Sequence, residues 1–142
     1  MTAYPDASII VSAFSEERFS DTARAWIAAL APGELVTSKW CMTEVASAMA
    51  IKSRTGALKA ADFGIVIDAV NDLLAQSAAY LPVEAASFDL ATTLIRRSSK
   101  PLRSGDALHL AVGSANGATV WTFDHAMAAA GQALGIDARL LT

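Results

Sequence analysis

Short segments rich in β-branched and aromatic residues alternate with longer segments of helical periodicity, and this alternation limits the folds open to the chain. After an apolar opening, "ELVTSKW", "AYLPV", "ATVWTFD" and "DARLLT" have the composition of strands. The longer segments between them repeat apolar residues three and four positions apart, as in Phe63, Val66, Ile67, Val70 and Leu74. Strands that alternate with helices pack as a parallel sheet covered by helices. We therefore expect an α/β sandwich around a mainly parallel sheet.

The 142 residues contain no repeat, low-complexity tract or linker-like stretch, so we expect a single domain over residues 1–142. The net charge of -3 gives no overall basic field, so any contact with nucleic acid must be local. Cys41 is the only cysteine, which excludes an internal disulfide and fits a reducing compartment. The opening segment does not resemble a secretory signal, and no uncharged apolar run reaches membrane-spanning length. These features predict a soluble, cytoplasmic protein.

Four acidic residues lie where strands end and helices begin. Asp6 belongs to the apolar opening, Asp124 ends "VWTFD", and Asp106 and Glu44 lie near the starts of predicted helices. The carboxyl ends of parallel strands and the helix starts that follow them share one edge of a sheet, where ligands bind. Each acid taken singly is explained as a helix-start or strand-end residue. Their common setting beside apolar core sequence instead favours one shared site.

Electrostatic repulsion indicates what such a site would bind. Two carboxylates about 4 Å apart repel by roughly 4 kcal/mol at an effective dielectric constant of about 20, so several cannot stay ionised without a cation. Ligands that are all oxygen favour Mg²⁺ or Mn²⁺. The two histidines, His109 and His125, lack the spacing of a zinc-binding helix. His109 lies three residues after Asp106, on the same helix face, and the sequence leaves its role open.

Four segments, in chain order, resemble the acidic motifs of PIN-domain ribonucleases, in particular the VapC-type toxins of bacterial type II toxin–antitoxin pairs: "YPDASIIV", "TEVASAM", "LRSGDALHLAVG" and "WTFD". The resemblance implies a three-layer α/β/α sandwich with about five strands in a mainly parallel sheet. It also implies metal ligation by Asp6, Asp106 and Asp124, with Glu44 as a further ligand or as the group that orients water. Ser8 and Thr122 match hydroxyl positions that support the first and fourth acids.

The resemblance also corrects the interpretation of the first segment and implies two protein partners. The first strand would be "TAYPD", and "ASIIVSAF" would turn away after Asp6. Ser8 stands where many relatives have Asn, and Pro5 has no N–H to donate within a central strand, so we expect altered strand geometry there. Toxins of this type usually form homodimers, and a small antitoxin protein covers the acidic groove.

The function expected from these residues is metal-dependent endonucleolytic cleavage of RNA. Carboxylate-bound metal ions activate water and neutralise charge on a phosphodiester, and Glu44 would help to position or deprotonate the attacking water. Four cations precede the Asp106 helix, and we call them the basic connector: Arg96, Arg97, Lys100 and Arg103. The basic connector either binds RNA phosphates or forms a solvated helix end.

Two alternative functions stay open at the level of the sequence. The first is a degenerate PIN domain that binds RNA or protein without cleaving it, although all four acids are intact. The second is a magnesium-dependent phosphatase, but phosphatases of the haloacid-dehalogenase type require an acid at the position of Ser8.

Overall fold

The computed structural model describes residues 1–142 as five short strands alternating with seven α-helices. The strands are β1 (Ala3–Pro5), β2 (Val36–Ser38), β3 (Ala79–Leu81), β4 (Thr119–Thr122) and β5 (Ala138–Leu140). The helices are α1 (Ala7–Ala13), α2 (Ser20–Ala29), α3 (Lys39–Thr55), α4 (Phe63–Ser77), α5 (Ala85–Arg97), α6 (Ser104–Ala115) and α7 (His125–Ala133). The predicted α/β class is confirmed, and "ASIIVSA" is a helix that follows the short strand β1.

All strand pairs are parallel, and the strands form two sheets, β1-β4-β5 and β2-β3. A single bridge between Ala3 and Leu35 joins the two sheets, and the N–H of Ala3 donates to the carbonyl of Glu34 at 2.7 Å. In a parallel strand pair, every second residue donates its N–H to the same neighbouring strand. After Ala3, the next N–H to donate to β2 would therefore be that of residue 5. Pro5 has no N–H. The expected sheet of about five strands is therefore interrupted between β1 and β2.

Helices cover both faces of the strands, which gives the expected three layers. Successive strand residues face opposite sides, so Leu35 and Val36 belong to different apolar cores. The core that includes Val36, Tyr4 and Val120 is completed by α5, α6 and α7, whereas that of Leu35 is completed by α1, α3 and α4. No helix combines the length and apolar character needed to span a membrane.

Helix α6 packs directly on the sheet because a glycine faces β4. A Cβ atom added to Gly113 would lie 2.3 Å from Cγ2 of Val120, so the helix backbone occupies the space that a side chain would need. Residues 107–113 of this helix are all buried. This close packing fixes α6 over the sheet and places its first turn, which contains Asp106, beside the ends of the strands.

Helix α3 begins earlier than the sequence pattern predicts. The helix starts at Lys39, within the segment "ELVTSKW" that the composition predicts to be a strand, and the Ser38 hydroxyl caps it by accepting from the N–H of Cys41 at 3.1 Å. Glu44 therefore lies in the second helical turn, and its interpretation as a first-turn acid is wrong. A helix-start role does not explain its presence.

Candidate active site

The first and fourth acids lie on neighbouring strands at the carboxyl edge of the sheet. Asp6 directly follows β1, and its N–H donates to the carbonyl of Trp121 in β4 at 2.9 Å. Asp124 follows β4 and caps α7 by accepting from the N–H of Met127 at 3.1 Å. Both carboxylates thus have a structural role as helix caps, and both are held at the edge where ligands of parallel sheets bind.

Helices α3 and α6 bring Glu44 and Asp106 to this edge. Asp106 lies in the first turn of α6. A Cβ atom on the preceding residue, Gly105, would lie 3.0 Å from Oε1 of Glu44, so the two helices approach closely here. The indole N–H of Trp40 donates to the carbonyl of Gly105 at 3.3 Å and links α3 to α6. The structure therefore places Glu44 and Asp106 on facing turns of α3 and α6, and Asp106 is close enough to Asp6 and Asp124 for their charges to interact.

Two hydroxyl groups connect Asp6 to the segment that carries Asp124. Asp6 is only 5% exposed, and its carboxylate accepts hydrogen bonds from the Ser8 and Thr122 hydroxyls and from the Ser8 N–H. The Ser8 hydroxyl accepts in turn from the N–H of Phe123 at 3.3 Å, and that of Thr122 accepts from the N–H of Asp124 at 2.9 Å. These contacts fix the orientation of Asp6 relative to the fourth acid.

Burial disfavours the ionised forms of two of the acids. It raises the pKa of the Asp6 carboxyl, although the hydrogen bonds from Ser8 and Thr122 act in the opposite direction. Burial also raises the pKa of Asp106; Arg103 lowers this pKa, and the nearby charges of Asp124 and Asp6 raise it. Carboxyl groups with such perturbed pKa values are concentrated at functional sites.

Arg103 contacts two of the acids, a role that the sequence interpretation missed. Its Nη2 atom lies 3.0 Å from Oδ2 of Asp124, and its Nε atom lies 3.4 Å from Oδ2 of Asp106. Arg103 immediately precedes α6. Its side chain is 80% exposed and extends to both Asp106 and Asp124. The spacing of three residues between Arg103 and Asp106 was the available sequence signal, whereas the contact with Asp124 depends on the fold.

The other three cations of the basic connector are separate from the acids. Arg96 and Arg97 lie in the last turn of α5, and Lys100 follows in the loop. All three are exposed, and none forms an ion pair. Their charges are free to meet a ligand, and the two arginines also suit the negative end of the helix dipole.

A buried set of polar side chains leads from the core to Glu44. The Tyr4 hydroxyl lies 2.7 Å from the Ser38 hydroxyl and 2.9 Å from Nδ1 of His109. Nε2 of His109 makes no hydrogen bond and lies 3.3 Å from Oε1 of Glu44. Burial raises the pKa of Tyr4 well above its ordinary value, so its hydroxyl stays protonated. We refer to Ser38, Tyr4 and His109 as the buried polar chain.

One arrangement of donors is consistent with the contacts of the buried polar chain. Ser38 donates to Tyr4, Tyr4 donates to Nδ1 of His109, and Nε2 of His109 then carries the N–H that faces the Glu44 carboxylate at 3.3 Å. His109 is 1% exposed, so its ring orientation is set by these neighbours rather than by water. The sequence left the role of His109 open, and the contribution of Tyr4 and Ser38 gave no local signal.

The donor atoms at this edge suit a hard divalent cation such as Mg²⁺ or Mn²⁺, because all four candidate ligands are carboxylates. No three His, Cys, Asp or Glu side chains are arranged as a ligand set in this structure. Instead, one cationic group, the guanidinium of Arg103, contacts one oxygen of Asp106 and one of Asp124. The oxygen-only donor set fits a divalent metal ion in its chemistry, and the contacts of Arg103 show that Asp106 and Asp124 attract positive charge.

Comparison of the sequence with protein-family models identifies the family. The model of the PIN domain matches residues 3–132, which include all four acids. The chain belongs to the PIN domain family, as the four motifs predicted. No curated protein sequence matches the chain.

Solved structures share the fold at low sequence identity. The chain is similar to the VapC20 toxin of Mycobacterium tuberculosis, described as cleaving the sarcin-ricin loop (TM-score 0.71, 19% identity, 92% of this chain and 95% of that chain). It is also similar to FitAcB from Neisseria gonorrhoeae (TM-score 0.65, 15% identity, 99% and 97%) and to FitAB bound to the IR36 DNA fragment (TM-score 0.72, 14% identity, 98% and 94%). These similarities establish a common fold.

Proposed function

We propose that this protein is a cytoplasmic, metal-dependent endoribonuclease and the toxin of a toxin–antitoxin pair. The observation that carries the proposal is that Asp106 and Asp124, two of the four acids within the matched PIN domain, lie close enough to contact one guanidinium, that of Arg103. The similarity of fold to a toxin described as cleaving the sarcin-ricin loop supports RNA as the substrate class.

The proposed mechanism is hydrolysis of a phosphodiester bond. Mg²⁺ or Mn²⁺ held by Asp6, Asp106, Asp124 and Glu44 would supply a water of lowered pKa and neutralise charge on the phosphoryl oxygens. Ser8 and Thr122 hold the Asp6 carboxylate in a fixed orientation. Glu44, which faces Nε2 of His109, positions the attacking water or accepts its proton.

Substrate and partners are assigned from charge and from similarity. Arg96, Arg97 and Lys100 of the basic connector would bind RNA phosphates, because they are exposed and unpaired. The toxin assignment implies a small antitoxin protein that covers the acidic edge and a homodimer of the chain. The similarity to FitAB and to a VapC toxin supports the antitoxin partner.

Cleavage of RNA by the purified protein tests this function. We expect endonucleolytic products with Mg²⁺ or Mn²⁺, none with excess chelator, and recovery when metal is added back. Asp124→Asn keeps an N-cap side chain but loses a ligand charge, so its cleavage rate should fall by about a hundredfold or more. Asp72→Asn, which changes an exposed acid of α4, is the matched control and should cleave normally.

Other outcomes would contradict the proposal in distinguishable ways. Cleavage that survives the chelator would exclude the metal mechanism. RNA binding without cleavage at saturating Mn²⁺ would indicate a non-catalytic binding module, and hydrolysis of a phosphate monoester but not of RNA would indicate a phosphatase. A thiol mechanism is disfavoured because burial raises the pKa of Cys41 to about 12.

A further inference from the structure

We propose that Arg103 is an intramolecular counter-cation that competes with the divalent metal ion for Asp106 and Asp124, and so sets the metal concentration at which the site fills. This inference rests on the proposed function, because it assumes that these two carboxylates are metal ligands. It assigns to Arg103 a role distinct from that of the other cations in the basic connector.

The contacts of Arg103 place its charge where it competes with a metal ion. The guanidinium uses Nη2 for Oδ2 of Asp124 at 3.0 Å and Nε for Oδ2 of Asp106 at 3.4 Å. A metal ion that binds these two carboxylates competes with the guanidinium for the same negative charge. The two cations also repel each other at this distance, so occupancy by one disfavours the other.

The two carboxylates depend on Arg103 to different extents. Asp106 forms its only side-chain hydrogen bond with Arg103, so in the absence of metal this guanidinium is its direct counter-charge. Oδ1 of Asp124 accepts from the N–H of Met127 at 3.1 Å, which holds that carboxylate in place when Arg103 leaves. Asp124 therefore keeps its position after the arginine is displaced, whereas Asp106 becomes free to bind another cation.

Arg103 itself can leave without disturbing the core. Its side chain is 80% exposed and makes no polar contact beyond the two acids. Exposed ion pairs are weak and are formed and broken readily. Displacement by metal therefore requires only that the ion bind the carboxylates more strongly than an exposed guanidinium does.

A titration with Mn²⁺, followed by electron paramagnetic resonance or calorimetry in the absence of RNA, tests the competition. We expect Arg103→Gln to bind Mn²⁺ about two- to tenfold more tightly than the parent, the range that one or two exposed ion pairs can supply. Arg97→Gln is the matched control, since it removes the same charge from an exposed residue that contacts neither acid, and its affinity should equal that of the parent. Arg103→Lys should fall in between, because a point charge cannot contact both carboxylates as the planar group does.

Each other result has a defined meaning. Unchanged or weaker binding by Arg103→Gln would refute the competition, and equal tightening in Arg97→Gln would show a general effect of net charge and refute it as well. If the parent cleaves RNA with Mn²⁺ while the Arg103 variants bind the ion normally, the competition is wrong and the proposed nuclease function stands. If the parent binds no Mn²⁺, both proposals fail.

Discussion

Removal of one buried hydroxyl should loosen the candidate site from within. Tyr4 is fully buried in β1, and its hydroxyl joins Ser38 to His109 in the buried polar chain. Tyr4→Phe keeps the ring that packs in the core but removes this hydroxyl. Ser38 keeps the hydrogen bond from the N–H of Cys41 at 3.1 Å, whereas Nδ1 of His109 loses its only partner.

The expected loss of stability follows from that unpaired atom. A buried polar group without a partner costs roughly 1–3 kcal/mol. For a domain of this size each kcal/mol lowers the melting temperature by about 2–4 °C, so Tm should fall by about 2–12 °C. Tyr80→Phe is the matched control, because Tyr80 is 38% exposed and its hydroxyl makes no hydrogen bond. That variant should lose less than about 0.5 kcal/mol.

The same change should slow RNA cleavage. Without Tyr4 the ring of His109 is no longer fixed from the core, so Glu44 loses the oriented N–H group that faces it. Loss of a group that orients a ligand typically lowers activity about ten- to a hundredfold, and we expect the effect in kcat rather than in KM for RNA. If Tyr4→Phe melts like Tyr80→Phe and cleaves RNA at the parent rate, the buried polar chain does not position Glu44.

Three further measurements address other parts of the molecule. Because the pKa of Asp106 is raised above its ordinary value of 3.8, metal-free Asp106→Asn should be at least as stable as the parent at neutral pH. The difference in free energy of unfolding between this variant and the parent, measured in urea, should vanish as pH falls through that raised pKa toward 3.8, because the Asp106 carboxyl of the folded parent then becomes protonated and uncharged. A difference that grows as pH falls would refute this. Gly113→Ala should cost about 1–3 kcal/mol in thermal unfolding because its Cβ would overlap Val120, whereas Gly64→Ala, in open space within α4, should cost nothing. Replacing Arg96, Arg97 and Lys100 by Gln should reduce the slope of log K against log salt for RNA binding by about two. An unchanged slope would show that these cations form a solvated helix end and do not bind RNA.

The class of fold was predictable because it is encoded in local patterns. Helical periodicity and β-forming segments alternate along the chain, and the structure follows that order. The boundaries of the elements were harder to predict: the segment predicted as a strand extends through Lys39 and Trp40, yet the Ser38 cap starts α3 at Lys39. The missing N–H of Pro5 was evident from the sequence. Its effect on the sheet depends on which strand lies beside β1, and the pattern of one sequence does not specify the order of the strands.

The candidate site was predictable only to the extent that its residues lie in motifs. The four acids and two supporting hydroxyls stand in segments that resemble a known family, so their positions followed from short stretches of sequence. Tyr4 is separated from Ser38 by 34 positions and from His109 by 105. Such contacts arise from the packing of β1, β2 and α6, and residues without charge or motif give no advance sign of them.

The four acids have partners of two kinds, buried and exposed, and this difference bears on where the proposed metal ion would displace an existing contact. Asp6 is held by buried hydroxyls, and Glu44 faces a histidine that is 1% exposed, so neither partner can be exchanged without disturbing the core. Asp106 and Asp124 share a guanidinium that is 80% exposed. Exchange of cations is therefore least costly at this pair. The fold therefore preorganises Asp6 and Glu44, and under the proposed function a metal ion would enter by displacing Arg103.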